Sequence, residues 1–572
     1  MSAVAESTPK TQLSVLVIQM GEEAEVFRSL MAMKAIKHLY PDTKINILVR
    51  REVSSSVKRV EWIHSVIETP EFEDDKAFRT IALWIDQIID ENYDISINWT
   101  FAKAYSRLAA FTTSLIPAMI KLGDYAREDM AVASFDAWSM YRQAWVRENI
   151  EQDIHTTDII TTQLLTALQI HAGDPSPDAG ATAVTSRYFF KSITASIPFA
   201  WATRAKNLKW IAIDSESIGK VKSIHHCEWI ESILKRHPDT GVVFLGEPSF
   251  KWNEASEFNS RVIVLEERLS TDECIHLFSQ VQWLVSGRSA MVDLASLMNL
   301  RVFYIPEGQW SVDGPYGNGH LIVENATASA VYGIWSYYHS EWFHKGTFSL
   351  VKHFENLGNT QALDHLNVYR ARIRPSQEGG GVSYEKVAPH IFTFESWMIR
   401  VRGQMARAWF CGWLPSIDAE IESMKLSPAL IKRIRELQES VRVIEKLSRE
   451  GKATAADLMK SSENLRSGTV MCVDDRNHIE DCGKKLLEIE ALVSRVVGIE
   501  PELKCVLKFY QTLMHNLRGT TLVQMAKESV QAFDLMEEGI EIISIYAQKT
   551  LDRAKPKAIM QTVQSITPET KK

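Results

Sequence analysis

Arg288, Ser289 and Asp293 lie in the run Trp283-Leu-Val-Ser-Gly-Arg-Ser-Ala-Met-Val-Asp-Leu-Ala-Ser-Leu-Met-Asn-Leu-Arg-Val-Phe-Tyr-Ile305. The run reads as the end of a buried strand, a loop of small residues, a helix and a second buried strand. At the C-terminal edge of a parallel sheet, such a loop gathers backbone N–H groups at a helix N-terminus. Phosphate binds there with little help from side chains. Ser289 and Ala290 are small enough to let a ligand approach the backbone. A guanidinium grips phosphate in a forked geometry, so Arg288 would add to the site if it points into the cleft. Asp293 would repel a pyrophosphate unless protonated or paired. The alternative is a structural Arg288–Asp293 pair with no ligand at all.

A second group of chemically able residues lies in Gln19-Met-Gly-Glu-Glu-Ala-Glu-Val-Phe-Arg28. With a single glycine this is not a dinucleotide fingerprint. It sets Glu22, Glu23 and Glu25 at the mouth of a presumed cleft, where a carboxylate can accept a proton. Acidic residues in the first turn of a helix also simply complement its dipole. The six cysteines, Cys227, Cys274, Cys411, Cys472, Cys482 and Cys505, include no pair at two-residue spacing. That argues against a disulfide framework and against a zinc site. His225-His226-Cys227 looks like a ligand cluster, but neighbouring residues on a helix point in different directions. Reduced thiols and no bound metal are the reading preferred here.

The elements that must position these residues alternate. Leu13 to Ile18 is nearly all apolar and β-branched, as a buried parallel strand is. Val26, Leu30, Met33 and Ile36 recur at helical spacing, and Pro41-Asp42 ends that helix. Lys44 to Val49 and Asp94 to Asn98 are the next strands, giving βαβ units and a parallel sheet. From about Ala102 to Ile170 the chain reads as mostly helical and rich in aromatics. Asp174-Pro-Ser-Pro-Asp-Ala-Gly-Ala-Thr is dense in turn formers and is the clearest linker. Alternation resumes with Trp210–Ile213, Gly241–Leu245, Arg261–Leu265, the Trp283 strand and Val302–Ile305.

Beyond about Tyr338 the pattern changes. Gln377 to Val382 is a glycine-rich turn, and Ser427-Pro428 is an N-cap and first-turn pair. Leu430, Ile434, Leu437, Val441 and Ile444 then repeat at 4-3-4-3 spacing. Shorter stripes follow, Leu486, Ile489, Val493 and Val496, then Val506, Tyr510, Leu513 and Leu517. A compact bundle is expected rather than a long coiled coil. The expected fold is thus α/β, a pair of Rossmann-like domains facing across a cleft, followed by an all-α region. The boundaries read as a disordered N-terminus over 1–12, domains over 13–175 and 176–340, a connecting segment over 341–410, a helical bundle over 411–561 and a disordered tail over 562–572.

At 572 residues the chain exceeds one core, consistent with that division. Its formal net charge of −8 offers no basic stripe for nucleic acid. Met1 to Gln12 is polar and reads as neither signal peptide nor transit helix. No apolar run reaches the roughly 18 residues that span a bilayer. A cytoplasmic location is the expectation.

Several segments, taken in order, resemble bacterial heptosyltransferases of glycosyltransferase family 9. Leu13 to Val49, with Ala24-Glu25-Val26 at the loop-to-helix turn and Tyr40-Pro41-Asp42 before the next strand, is similar to the family's opening unit. Asn92 to Asn98 resembles its tyrosine-aspartate-strand segment. Ile154-His-Thr-Thr-Asp158, followed by Leu164-Leu165 and Ala172-Gly173, is similar to its His-x-x-Asp helix. Asp313-Gly-Pro-Tyr-Gly317 resembles its closing Gly-Pro-Tyr-Gly segment. The match covers about residues 13 to 335 and leaves the helical region aside. It departs from the family at Ala24, where glycine is usual, and at Met31, where proline is usual. The donor loop, Asp-Ser/Thr-Gly-x-x-His in the family, becomes Arg288-Ser-Ala-Met-Val-Asp293, and only the serine is kept.

The resemblance implies a glycosyltransferase with the GT-B arrangement, its donor held mainly by the second domain. Glu25 would be the general base. Lys222 (or Lys220), preceded by Ser215 and Ser217, falls where the family places a phosphate-binding lysine. Glu247 lies where the family often recognises the donor's ribose or base. Glu25 would take the acceptor hydroxyl's proton as the anomeric carbon leaves its nucleoside diphosphate. Lys222, Arg288 and the helix N-terminus at Ser289 would stabilise the departing charge, with no metal and no cofactor beyond the nucleotide-diphosphate sugar. A heptose donor and a lipopolysaccharide-type or other surface-glycan acceptor at the inner membrane surface are the family-based expectation, with peripheral attachment there. Two alternatives stay open: a degenerate member acting as a binding or scaffold protein, and a transferase redirected to a protein acceptor. The added helices suit a protein partner under any of these.

Overall fold

The computed structural model describes residues 12–71, 76–88, 92–101, 103–148, 150, 154–172, 208–219, 228–248, 252, 257–306, 313–324, 327–339, 356, 367–373, 381–386, 393–411, 426–466 and 473–554. The linker at 174–182, Lys220, Lys222, the His225–Cys227 run, the expected disordered tail and all but residue 12 of the expected disordered N-terminus fall outside these residues. The chain divides into two compact units. One takes in Met1–Ser139 and Ile154–Pro389, the other Met140–Asp153 and His390–Lys572.

The first unit holds the expected pair of Rossmann-like sheets. In the first lobe, strands β1 (Ser14–Gln19), β2 (Lys44–Val49), β3 (Ser65–Glu68), β4 (Tyr93–Asn98) and β5 (Ala118–Leu122) lie in the order β3-β2-β1-β4-β5, all parallel. Helices α1 (Glu23–Leu39), α2 (Ser54–Lys58), α3 (Ala77–Ile88), α4 (Lys103–Leu115) and α5 (Thr156–Ala172) accompany it. The unbroken apolar run of β1 follows from burial on both faces. Val15 and Val17 enter one core, Leu16 and Ile18 the other. The stretch expected to be mostly helical departs from that reading. Besides α4 and α5 it contains β5 and a small antiparallel hairpin, β6 (Asp124–Ala126) with β7 (Val132–Ser134). Pro117 resets the chain after α4, and the short, partly exposed β5 lacks the apolar run by which a central strand shows itself.

The second lobe is a larger sheet. Strands β8 (Lys209–Asp214), β9 (Thr240–Leu245), β10 (Val262–Leu265), β11 (Val281–Ser286), β12 (Arg301–Tyr304) and β13 (Leu321–Glu324) run parallel in the order β10-β9-β8-β11-β12-β13. Two antiparallel strands, β14 (Asn367–Ile373) and β15 (Val382–Lys386), extend it past β13. The segment read as a connector therefore contributes to the sheet. Helices α6 (Ser215–Gly219), α7 (Glu228–Arg236), α8 (Thr271–Phe278), α9 (Ala290–Leu297) and α10 (Ala328–His339) belong to this lobe. A capping box at Ser270 and Glu273 starts α8. One core runs through both lobes: Val26, Phe27 and Leu30 of α1 join Val292 and Ala295 of α9 in it. The two helices that carry the candidate residues are thus packed on a shared apolar base.

The second unit is helical: α11 (Phe394–Cys411), α12 (Pro428–Arg466), α13 (Val473–Ile499), α14 (Lys504–His515) and α15 (Leu522–Ala554). Ser427 caps α12 by accepting from the Leu430 N–H at 3.1 Å. All five residues of the Leu430–Ile444 stripe are buried. With 39 residues, α12 is about 58 Å long at 1.5 Å per residue. Its partner α15 runs antiparallel, as the Gln438–Gln548 hydrogen bond and the Arg449–Glu537 and Lys452–Asp534 pairs show. The unit also takes in residues 140–153, whose Trp145 indole donates to the Cys505 carbonyl at 2.9 Å. Among the described residues no helix is long and apolar enough to cross a membrane.

Candidate functional site

In an open parallel sheet, ligands settle where the strand order reverses, beyond the carboxyl ends of the strands. In the first lobe that point lies between β1 and β4. The Gln19 amide ties the two strand ends together, donating to the Trp99 carbonyl at 3.0 Å and to the Ser29 hydroxyl at 2.8 Å. Its oxygen accepts from the Gly21 N–H at 3.0 Å, and the Met20 N–H donates to Thr100 Oγ1 at 2.9 Å. Glu25, in the first turn of α1, turns back over this loop, and its Oε2 accepts from the Phe101 N–H at 3.1 Å. A Cβ on Gly21 would stand 1.8 Å from that same oxygen, so only glycine lets the carboxylate lie there. Glu25 is partly exposed. Arg50 closes one side, donating to the Tyr105 hydroxyl at 3.0 Å with its guanidinium 4.3 Å from that ring. Of the other two acids, Glu22 is exposed and Glu23 points elsewhere. Glu23 accepts from Ser56 Oγ at 2.8 Å and from Thr271 Oγ1, at the start of α8, at 2.6 Å.

In the second lobe the order reverses between β8 and β11. There the buried Asp214 carboxylate gathers the serines. Its Oδ2 accepts from Ser289 Oγ at 2.6 Å and from Ser286 Oγ at 2.9 Å, and its Oδ1 from the Ser217 N–H at 3.3 Å. Ser217 Oγ accepts in turn from the Gly287 N–H at 2.8 Å. A Cβ on Gly287 would sit 2.8 Å from the Ser217 carbonyl oxygen, which explains the glycine. Ser289 is the N-cap of α9, yet its hydroxyl makes no capping bond and is turned to Asp214, to which it donates. Ser215 is buried, and its hydroxyl has no partner among the described residues. Ala290 opens α9. Glu247 is exposed in the turn after β9, after Gly246 at φ +82°.

The expected alternative of an Arg288–Asp293 pair is not what forms. Asp293 is buried in the first turn of α9, and its partner is Arg28 from α1. Arg28 Nε donates to Asp293 Oδ1 at 2.9 Å and Nη2 to Oδ2 at 3.0 Å, a fork on both oxygens. Its Nη1 donates to Asp313 Oδ1 at 2.7 Å. Arg288 reaches the other oxygen of Asp313 at 3.1 Å, with its side chain 66% exposed. The reason is geometric: α1 packs on α9, so Arg28 enters from the opposite lobe, while Arg288 precedes the helix and leans outward to Asp313.

Burial opposes the charge on Arg28, but Asp293 and Asp313 outweigh it and hold the guanidinium firmly protonated, with Glu25 adding to the effect. Burial pushes the Asp293 carboxyl up to about 6 against the pull of Arg28, and the forked contact is that of a carboxylate. Burial also tends to raise Asp313, but Arg28 and Arg288 hold it below the usual range.

The start of α5 completes the surroundings. His155 Nε2 donates to the Gly314 carbonyl at 2.9 Å, and Nδ1 accepts from the Thr157 N–H at 3.0 Å, which fixes a neutral ring. Burial, and then the nearby Arg28 charge, bring it down to about 3. Thr156 Oγ1 donates to Asp313 Oδ1 at 3.3 Å. Asp158 accepts from the Tyr316 hydroxyl at 2.6 Å and from the Val382 N–H at 2.9 Å. The His-x-x-Asp and Gly-Pro-Tyr-Gly motifs thus bind each other. Cys274 is no nucleophile, since burial and the neighbouring acids push its thiol up to about 12. Among the described residues no cluster of three or more His, Cys, Asp or Glu is arranged to hold a metal.

The structure therefore brings Ser217, Ser289 and Ala290 to one strand edge, places Glu25 at the other, and leaves Glu247 on the surface. Arg28, Asp214 and Asp313, which hold the candidate residues here, were not among the sequence candidates. Asp214 had a signal, a carboxylate ending an apolar strand just before Ser215. Arg28 had none, since its partners are 265 and 285 positions away.

No family model matches the chain, and no curated protein matches its sequence. Among solved structures it is similar to the E. coli heptosyltransferase WaaC with ADP, at 13% identity over 59% of this chain and 99% of that one, TM-score 0.38. It is also similar to a glycosyl transferase family 9 structure from Veillonella parvula DSM 2008, at 11% identity over 62% and 98%, TM-score 0.37. A third is the E. coli ADP-heptose lps heptosyltransferase II, at 13% identity over 51% and 84%, TM-score 0.34.

Proposed function

We propose that this chain is a glycosyltransferase that moves a sugar from a nucleotide-diphosphate donor to an acceptor hydroxyl. The observation that supports this most is the placement of two chemically able turns at the two strand-order reversals. Glu25 stands at one, the Ser286–Asp293 turn at the other, and α1 and α9, the helices these turns open, share one apolar core. In the reaction Glu25 takes the proton of the acceptor hydroxyl. That oxygen bonds to the anomeric carbon, and the bond from this carbon to the diphosphate oxygen breaks. The charge on the departing nucleoside diphosphate meets Arg288 and the N–H groups that open α9, with Ser215 and Ser217 nearby; the sequence resemblance adds Lys222 to this role and Glu247 to recognition of the nucleoside. On this reading side-chain cations take the part a metal would take. A heptose donor and a lipopolysaccharide-type acceptor at the inner membrane surface are the finer reading, supported by the sequence resemblance. Exposed Leu487, Leu492 and Ile499 on α13 support a protein partner for the helical unit.

A second reading, a binding protein without catalysis, is favoured by one observation. The Ser286 and Ser289 hydroxyls are spent on Asp214, and Asp293 sits in the first turn of the helix that would meet a diphosphate. Calorimetric and thermal-shift titration with ADP, UDP and GDP separates the two. A ligand at 100 times its dissociation constant adds about 2.7 kcal/mol, so the transferase reading expects a clear rise with one of them. Silence from all three at millimolar concentration removes it.

A further inference from the structure

We propose that Arg28 is the anion-recognising group of this cleft, and that the Asp293 carboxylate is its resident counter-anion, which a ligand phosphate displaces. The inference rests on the nucleotide-diphosphate reading above and deepens it.

Three features carry it. First, Arg28 comes from the lobe that holds Glu25, one turn along α1, yet its hydrogen bonds run to Asp293 and Asp313 of the other lobe. A residue needed only to stabilise α1 has no reason to reach across. Second, a carboxylate held by Nε and Nη2 reproduces the way a guanidinium holds two phosphate oxygens. Asp293 thus presents to Arg28 what a diphosphate would present, and from the first turn of α9, where backbone N–H groups also favour an anion. Third, the charges are shared. Arg28 and Arg288 sit on opposite oxygens of Asp313, so two guanidiniums flank one carboxylate, and Arg288 is exposed. Arg28, Arg288, Asp293 and Asp313 together are neutral. Releasing Asp293 from Arg28 leaves a cationic pair on Asp313, which an incoming diphosphate matches.

The departure from the family's donor loop gains a role on this account. The chain keeps an anion inside the site in place of the family's histidine, and binding becomes an exchange. Affinity should therefore be lower than the cleft could deliver. It should rise when the internal anion is neutralised and fall when the guanidinium is removed.

The test is calorimetric titration of the full chain with ADP, UDP, GDP and inorganic pyrophosphate, for the unaltered protein and for Asp293→Asn, Arg28→Met and Arg28→Lys. Asp293→Asn keeps the side chain's shape and an accepting oxygen while removing the charge. It should tighten binding of the preferred nucleotide by about tenfold or more, the size expected when a competing desolvated charge is removed. Arg28→Met should weaken that binding by at least about tenfold, and Arg28→Lys should restore only part of it, because lysine cannot fork. Near-UV circular dichroism reports whether each variant is folded, and if Arg28→Met is not, Asp293→Asn and Arg28→Lys carry the test. Nucleotide binding that neither Asp293→Asn nor Arg28→Lys changes overturns the inference and leaves the transferase reading standing. Pyrophosphate binding that Asp293→Asn strengthens, with no gain from any nucleoside, upholds the inference and overturns the nucleotide reading. No binding of any of the four probes to any variant overturns both.

Discussion

The β1–α1 turn and the β11–α9 turn have the same topology. Each follows a buried parallel strand at the point where strand order reverses, and each opens a helix with acid in its first turn. They differ in how the acid is held. Glu25 is partly exposed and rests on the Phe101 backbone N–H. Asp293 is 1% exposed and carries a forked guanidinium from the opposite lobe, while Asp214 occupies both neighbouring serines. One fold element can thus present a carboxylate to the cleft or build carboxylates into the structure. Proton transfer needs the first arrangement; the second ties the two lobes together.

The contrast breaks most severely at Arg28. Replacing it with methionine leaves Asp293 buried and Asp313 short of a partner, and removing one member of a buried pair costs about 3–5 kcal/mol. Urea unfolding should show that loss. A loss under about 1 kcal/mol, the range of an exposed pair, would mean that the tie between lobes carries no weight.

Acid should come next. Burial holds His155 near 3 and His320 near 4, against an ordinary 6.5. Both histidines are neutral in the fold, while the unfolded chain takes up protons below about 6.5, so the unfolded state binds more protons as pH falls. Stability is full above that value and is lost as pH drops from about 6 toward 4, at about 1.4 kcal/mol per pH unit for each ring. Chemical unfolding at a series of pH values should give a slope that His155→Gln reduces by one proton. An unchanged slope would take His155 out of the explanation.

Smaller effects separate the serine network from the surface. Ser289→Ala strips one hydrogen bond from a buried carboxylate and should cost about 1–2 kcal/mol. Arg288→Ala removes a mostly exposed side chain and should cost under about 1 kcal/mol of stability. It should nevertheless weaken nucleotide affinity. Unchanged affinity would make Arg288 a structural partner of Asp313 and nothing more.

Much of this was legible in the sequence. Continuous apolar runs revealed β1, β2, β8, β9 and β11 because parallel strands are covered on both faces. The 4-3-4-3 stripe revealed α12. β3 and β5 escaped because short edge strands with half-exposed residues lack that run. The site divides along the same line. Ser289 and Glu25 are candidates by their place in strand–turn–helix units, a local property. Arg28 with Asp293, and Asp214 with Ser286 and Ser289, are products of packing between segments far apart in the chain. Spacing therefore offers Asp293 only Arg288 as a partner, the nearest cation in sequence, whereas its partner in space is Arg28.

The most direct test of the account is transfer from a nucleotide-diphosphate sugar by the unaltered chain and by Glu25→Ala, with nucleotide affinity measured on both. The alanine variant should bind the nucleotide as tightly as the unaltered chain and transfer no sugar. Equal transfer by the two proteins would contradict it, as would loss of nucleotide binding with the carboxylate.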